Sequence, residues 1–166
     1  METKLKWKKG LFSDTYNIFD NNKQIGFIKK NYFSQKSIAE INGETYEFQE
    51  RGFFNQETDI VDISKNRVVG KIKYSTWGNK AYIEVNNEIS TWEYKNVWNT
   101  KWIVSDSKGL NILYDGSFSN GRIETNGDDT IKLLSGLYAH NYYMRIALVV
   151  LICCLSCFIS VFVTLH

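Results

Sequence analysis

The chain has 166 residues, with 20 Lys and Arg against 18 Asp and Glu, and no proline. That length holds one domain with a sizeable core and leaves little for a second. A net charge of +2 excludes the strong basic field on which nucleic-acid binding rests, so no nucleic-acid partner is expected.

The chain opens on a basic segment, residues 1–14, in which Lys4, Lys6, Lys8 and Lys9 surround Trp7. Two readings stand side by side. Lysines protect an exposed strand edge, and they also attract anionic lipid at about 1 kcal/mol per basic residue near the surface. No apolar h-region opens the chain, so no secretory signal is expected and an intracellular setting is.

A repeat follows. Ile25-Gly26-Phe27-Ile28 returns 44 positions later as Val69-Gly70-Lys71-Ile72. The same step carries Glu40-Ile41-Asn42-Gly43-Glu44 onto Glu84-Val85-Asn86-Asn87-Glu88, and Phe48 onto Trp92. A shorter third copy runs from Leu113-Tyr114-Asp115-Gly116 to Thr125-Asn126-Gly127-Asp128. Each copy reads as four short strands. The spans are 15–20, 24–30, 36–42 and 45–51; then 58–63, 67–75, 80–86 and 89–95; then 101–106, 110–117, 120–125 and 129–135. Asn21-Asn22, Asn42-Gly43, Asn86-Asn87 and Asn126-Gly127 are turn chemistry between them. Gly26, Gly70 and Gly116, each inside a second strand, signal a bend or a close backbone approach.

Strands with one apolar face must fold into a sandwich or close into a barrel. The expected fold is mainly β: a closed antiparallel barrel over residues 15–137, within a single domain of residues 1–166. A barrel of about twelve strands is too wide for its own side chains to fill, since about eight already reach that limit. The expected filler is the apolar C-terminal helix, residues 142–166. Its core, residues 146–165, carries no charge. It spans about 30 Å, which is also the thickness of a bilayer core. Burial in the barrel and passage through a membrane both fit. Ser156, Ser160 and Thr164, beside Cys153 and Cys157, give a small-residue stripe that suits either. Arg145 flanks the run on one side and His166 on the other.

All three cysteines lie in this helix, so none can bridge to the strands. No metal site or other cofactor is expected, because His140 and His166 are the sole histidines. His140 sits at the expected strand-to-helix junction, where a capping or hinge role outweighs that of a catalytic base. Glu84, Glu88 and Glu93 read as the solvated face of a hairpin. Trp7, Trp77, Trp92, Trp98 and Trp102 read as core or rim packing more readily than as a stacking platform. No catalytic residue is assigned.

Tyr16-Asn17-Ile18-Phe19-Asp20 leading into Ile25-Gly26-Phe27-Ile28, its later copy Ile60-Val61-Asp62 leading into Val69-Gly70-Lys71-Ile72, and the helix from Tyr142 carry a resemblance. Together they resemble the tubby C-terminal-like superfamily, which includes the tubby proteins, the plant LURP-one-related proteins and the phospholipid scramblases. The resemblance covers about residue 10 to the end. It implies a twelve-stranded barrel around a central apolar helix and a loose association with membranes. Tubby domains hold phosphoinositide head groups on two basic side chains two apart on a strand, and Lys71 and Lys73 match that spacing. The scramblases' acidic segment near the helix has no counterpart; Asp128-Asp129 lies earlier, in a turn.

The expected function is therefore that of a non-enzymatic barrel, cytoplasmic or membrane-associated. Its expected partner is an anionic phospholipid or membrane surface, and any protein partner stays open. Lys4, Lys6, Lys8, Lys9, Lys71 and Lys73 are the candidate lipid contacts. The alternative is a C-terminally anchored single-pass membrane protein whose β domain binds a partner.

Overall fold

The computed structural model describes residues 2–10, 13–31, 34–51, 57–76 and 79–164, with side chains of the helix described as far as Cys157. Trp77 and His166 lie outside the described residues, as do the side chains of Ser160 and Thr164.

The strands are β1 (Thr3–Lys9), β2 (Thr15–Asp20), β3 (Lys23–Lys30), β4 (Lys36–Ile41), β5 (Glu44–Glu50) and β6 (Glu57–Asp62). They continue as β7 (Arg67–Tyr74), β8 (Lys80–Val85), β9 (Glu88–Tyr94), β10 (Lys101–Asp106), β11 (Asn111–Gly116) and β12 (Asn120–Thr125). One helix, α1 (Thr130–Thr164), follows the last strand. Every strand pairs antiparallel with its sequence neighbours, and β1 pairs with β12 to close the barrel. The expected closed barrel is the observed fold.

Local chemistry explains the meander. Asn21-Asn22, Asn42-Gly43 and Asn86-Asn87 all have positive φ at both positions. Two such residues make the turn whose twist matches a hairpin, and asparagine and glycine bear that conformation at least cost. Within the strands, alternate residues face inward. Trp7, Ile18, Phe48, Ile60, Trp92 and Trp102 are among the fully buried ones. Gly26 and Gly70 sit beside register shifts in the β2–β3 and β6–β7 ladders. A Cβ at Gly26 would run into the Glu40 carbonyl oxygen, and one at Gly70 would lie 2.6 Å from that of Glu84. The close approach expected from the repeat is therefore real.

Three expectations need correction. Residues 129–135 are not a strand; all but the first belong to the helix. Residues 1–14 are not an appended basic segment, because β1 is a full barrel strand between β2 and β12. These two corrections have one cause. The third repeat takes its fourth strand from the N-terminus, so the chain after Thr125 is released from the sheet and turns inward. The third correction concerns the filler. Helix α1 begins at Thr130 and not at 142. The part that fills the barrel is its first half, where Leu133, Leu134, Leu137, Tyr138, Ala139 and Tyr143 are buried. The uncharged run expected there lies outside, with Ile146, Leu148, Val149, Val150, Leu151 and Ile152 all exposed.

Candidate functional site

The barrel has two unlike ends. Odd-numbered strands rise from the lower end, where α1 enters, to the upper rim, where it leaves. From Thr130 to Arg145 the helix rises about 24 Å. Strands of this length rise about 20–26 Å, so the helix crosses the lumen once and emerges.

Polar groups clamp it at both ends. At the lower end the Asp129 carboxylate caps the helix by accepting from the Lys132 backbone N–H at 2.9 Å. The Lys132 ammonium is buried and donates to Asp106 at 3.1 Å and to Glu88 at 3.2 Å. Burial alone would raise the Asp106 pKa and lower that of Lys132. The ion pair and its hydrogen bonds more than offset this on each, keeping the carboxyl below its usual range and the ammonium above its own. Thr130 adds a bond to Glu44 at 2.9 Å.

Inside the lumen, the Trp92 indole N–H donates to the Gly136 carbonyl at 3.0 Å, and the Tyr114 hydroxyl donates to that of Leu133 at 2.8 Å. The His140 ring stacks on Trp102 with centroids 3.9 Å apart, and its Nδ1 meets the Tyr94 hydroxyl at 3.2 Å. Burial, with a smaller contribution from the charge of Lys9, pushes the imidazole pKa down to about 3. The ring is therefore neutral at physiological pH.

At the upper rim Glu50 gathers three donors. Lys30 lies at 3.2 Å, Tyr138 at 2.8 Å and Arg145 at 2.5 Å. Asn141 accepts from the Tyr16 hydroxyl at 3.3 Å. The Tyr143 hydroxyl accepts from the Ser75 backbone N–H and donates to the Lys80 carbonyl. Arg145 is the last of these clamps, and beyond it an apolar helix stands clear of the rim.

The proposed lipid contacts divide. Lys4, Lys6 and Lys8 point outward from β1. Lys4 faces Glu124 at 3.7 Å, while Lys6 and Lys8 line a surface groove of about 670 Å³ with Arg122. Lys9 turns in at the rim, within 3.8 Å of Asp14 and over the rings of Tyr16 and Phe118. It packs at the helix outlet with its side chain mostly buried, and it borders the same groove as Lys6 and Lys8. Lys71 and Lys73 do share the outer face of β7, but Lys71 is bound to Glu57 at 3.2 Å. Lys73 is exposed.

The carboxylates also separate. Glu93 lies near Lys80 and Lys95, and Glu88 joins the Lys132 clamp. Among the described residues no group of His, Cys, Asp and Glu has the geometry to hold a metal. Sequence reasoning missed the Lys132 clamp and the Tyr138–Glu50 bond. One signal was there: Leu133, Leu134, Leu137 and Tyr138 keep helical spacing behind Asp129, a favourable cap.

Set against protein-family models, curated proteins and solved structures, the chain has no significant match in any of the three.

Proposed function

We propose that this is a non-enzymatic barrel protein of tubby-like architecture, held at a membrane by the second half of the helix that forms its core. One observation carries the reading: α1 is buried and hydrogen-bonded as far as Tyr143, then apolar and exposed from Ile146 to Cys157. Soluble surfaces rarely carry a contiguous apolar patch of that size. Residues 146–164 span about 28 Å, close to the hydrocarbon thickness of a bilayer. The helix is the one described element long and apolar enough to cross a membrane.

The charge pattern supports an orientation. Arg145 and, a barrel length earlier, Lys132 precede the exposed run. Basic flanks favour the cytoplasmic side, so the barrel faces the cytoplasm and offers its outer surface to partners.

Membrane fractionation tests this. The full-length protein should stay in the membrane pellet after alkaline carbonate and be released by detergent. Release by carbonate or by high salt would mean that the run does not span, and the anchor reading would fall.

A further inference from the structure

The two ends of the barrel differ in a way that the core does not require. The sequence of every connection at the upper rim contains an aromatic residue: Phe12, Phe33, Phe54, Trp77, Trp98 and Phe118 in chain order. The connections at the lower end, residues 21–22, 42–43, 63–66, 86–87, 107–110 and 126–129, contain none. Phe12, Phe33, Phe54 and Trp77 lie outside the described residues. In the two connections whose aromatic residue is described, apolar side chains face water. Val97 is 90% exposed, Trp98 81% and Phe118 54%.

The 95–100 connection is built to hold its apolar pair out. The Asn96 side chain accepts from the Thr100 backbone N–H at 3.0 Å and from that of Lys101 at 3.1 Å, and its amide donates to the Thr100 hydroxyl at 2.7 Å. Asn99 takes a left-handed φ of 56°. Such side-chain bonds fix a loop locally. Val97 and Trp98 are thus presented by a formed turn.

Charge is divided the same way. In the upper half basic side chains outnumber acidic ones by roughly two to one; Lys36, Lys80 and Lys101 there are paired with Glu47, Glu93 and Asp115, while Lys8, Lys29 and Lys73 are exposed. In the lower half the acidic ones are in excess, with Glu2, Asp20, Glu40, Glu44, Glu84 and Glu124 on that side. The chain's small net charge hides a polarised barrel. Aromatic tips ringed by lysines suit the boundary of a bilayer, where amphipathic rings settle at head-group depth and cations meet anionic lipid. The exposed helix leaves from the middle of this same rim.

We infer that the barrel is seated rim-down on an anionic bilayer, with Val97, Trp98 and Phe118 in the interface and the upper lysines against acidic head groups. The inference rests on the anchor reading, which places this end nearest the membrane, and adds that the barrel is docked and not hanging free on its helix.

The test uses full-length protein reconstituted in vesicles of phosphatidylcholine with phosphatidylserine, with lipids brominated on the upper acyl chain as quenchers. Subtracting the emission of Trp98→Phe from that of the wild type isolates Trp98. A seated rim gives a blue-shifted, quenched Trp98, while a tryptophan placed at the lower end by Ile89→Trp in the Trp98→Phe background stays unquenched. Lys29→Gln and Lys73→Gln, both on exposed side chains, should each lower the seated-to-lifted ratio about fivefold, and pure phosphatidylcholine should lower it further. Carbonate-resistant flotation of the same vesicles reads the anchor separately. Protein that floats with an unquenched, solvent-like Trp98 overturns the seating and leaves the anchor intact. Equal quenching at Trp98 and at the Ile89→Trp position also overturns it, since the barrel would then lie on its side.

Discussion

Replacing Lys132 by methionine removes the cation at the lower clamp while keeping an unbranched chain of similar length. The residue is 2% exposed, and its ammonium lies 3.1 Å from Asp106, 3.2 Å from Glu88 and 3.4 Å from Asp129. Asp106 is itself nearly inaccessible, whereas Glu88 and Asp129 reach water. Breaking a fully buried pair costs about 3–5 kcal/mol because the remaining charge is stranded. Two of the three carboxylates can rehydrate here, so the expected loss is about 2–3 kcal/mol. Backbone N–H groups of Lys108 and Leu110 still bond Asp106, which favours the lower part of that range. Urea denaturation of the detergent-solubilised protein, followed by tryptophan emission, gives the number. Adding Asp106→Asn removes the stranded charge, so the double variant should be more stable than the sum of the single effects by at least about 1 kcal/mol. A Lys132→Met loss under about 0.5 kcal/mol, the size of an ordinary surface change, with no coupling to Asp106, would refute the clamp.

Other outcomes follow from the same packing. The pKa of His140 is lower folded than unfolded, so the unfolded state binds more protons as pH falls below about 6.5, and stability is lost from there down towards pH 3. At pH 5 the loss from this one group is about 2 kcal/mol; comparing the pH 7 to pH 5 change in denaturation midpoint between the wild type and His140→Gln measures it. Gly26→Ala drives a Cβ against the Glu40 carbonyl and should cost about 1–3 kcal/mol. Gly43 has open space but a φ of 84°, and the same change there should cost only about 1 kcal/mol. Thermal melts of the two variants should keep that order.

The barrel was legible because its information is local and periodic. Asparagine turns, inward alternation and the 44-residue step all act over neighbouring residues, and they place β3 to β5 and β7 to β9 within a residue or so. What the sequence concealed is non-local. Nothing within residues 3–9 says that they pair with 120–125, and that pairing alone decides where the circle closes. Once Ile131 and Leu133 are read as strand alternation, the helix start is displaced to residue 142, at the edge of the more apolar run. The filler and the exposed run are then confused, because the longest apolar stretch is the stronger signal and here it lies outside the core. The rim had a similar fate. Trp98 reads like any barrel aromatic until the topology shows that Phe118 and the other aromatic connections share its end. Net charge conceals the division of lysines and carboxylates for the same reason.

In the proposed reading a single helix is core up to Arg145 and anchor from Ile146 onward. Two truncations expressed side by side test it: one lacking residues 146–166 and one lacking residues 130–166. The first should be soluble without detergent and melt cooperatively, with Trp92 and Trp102 emission as buried as in the full chain. The second, with an empty lumen, should aggregate or bind hydrophobic dye without a cooperative transition. If the protein lacking only residues 146–166 fails to fold, or still stays with membranes after alkaline carbonate, the division at the rim is wrong.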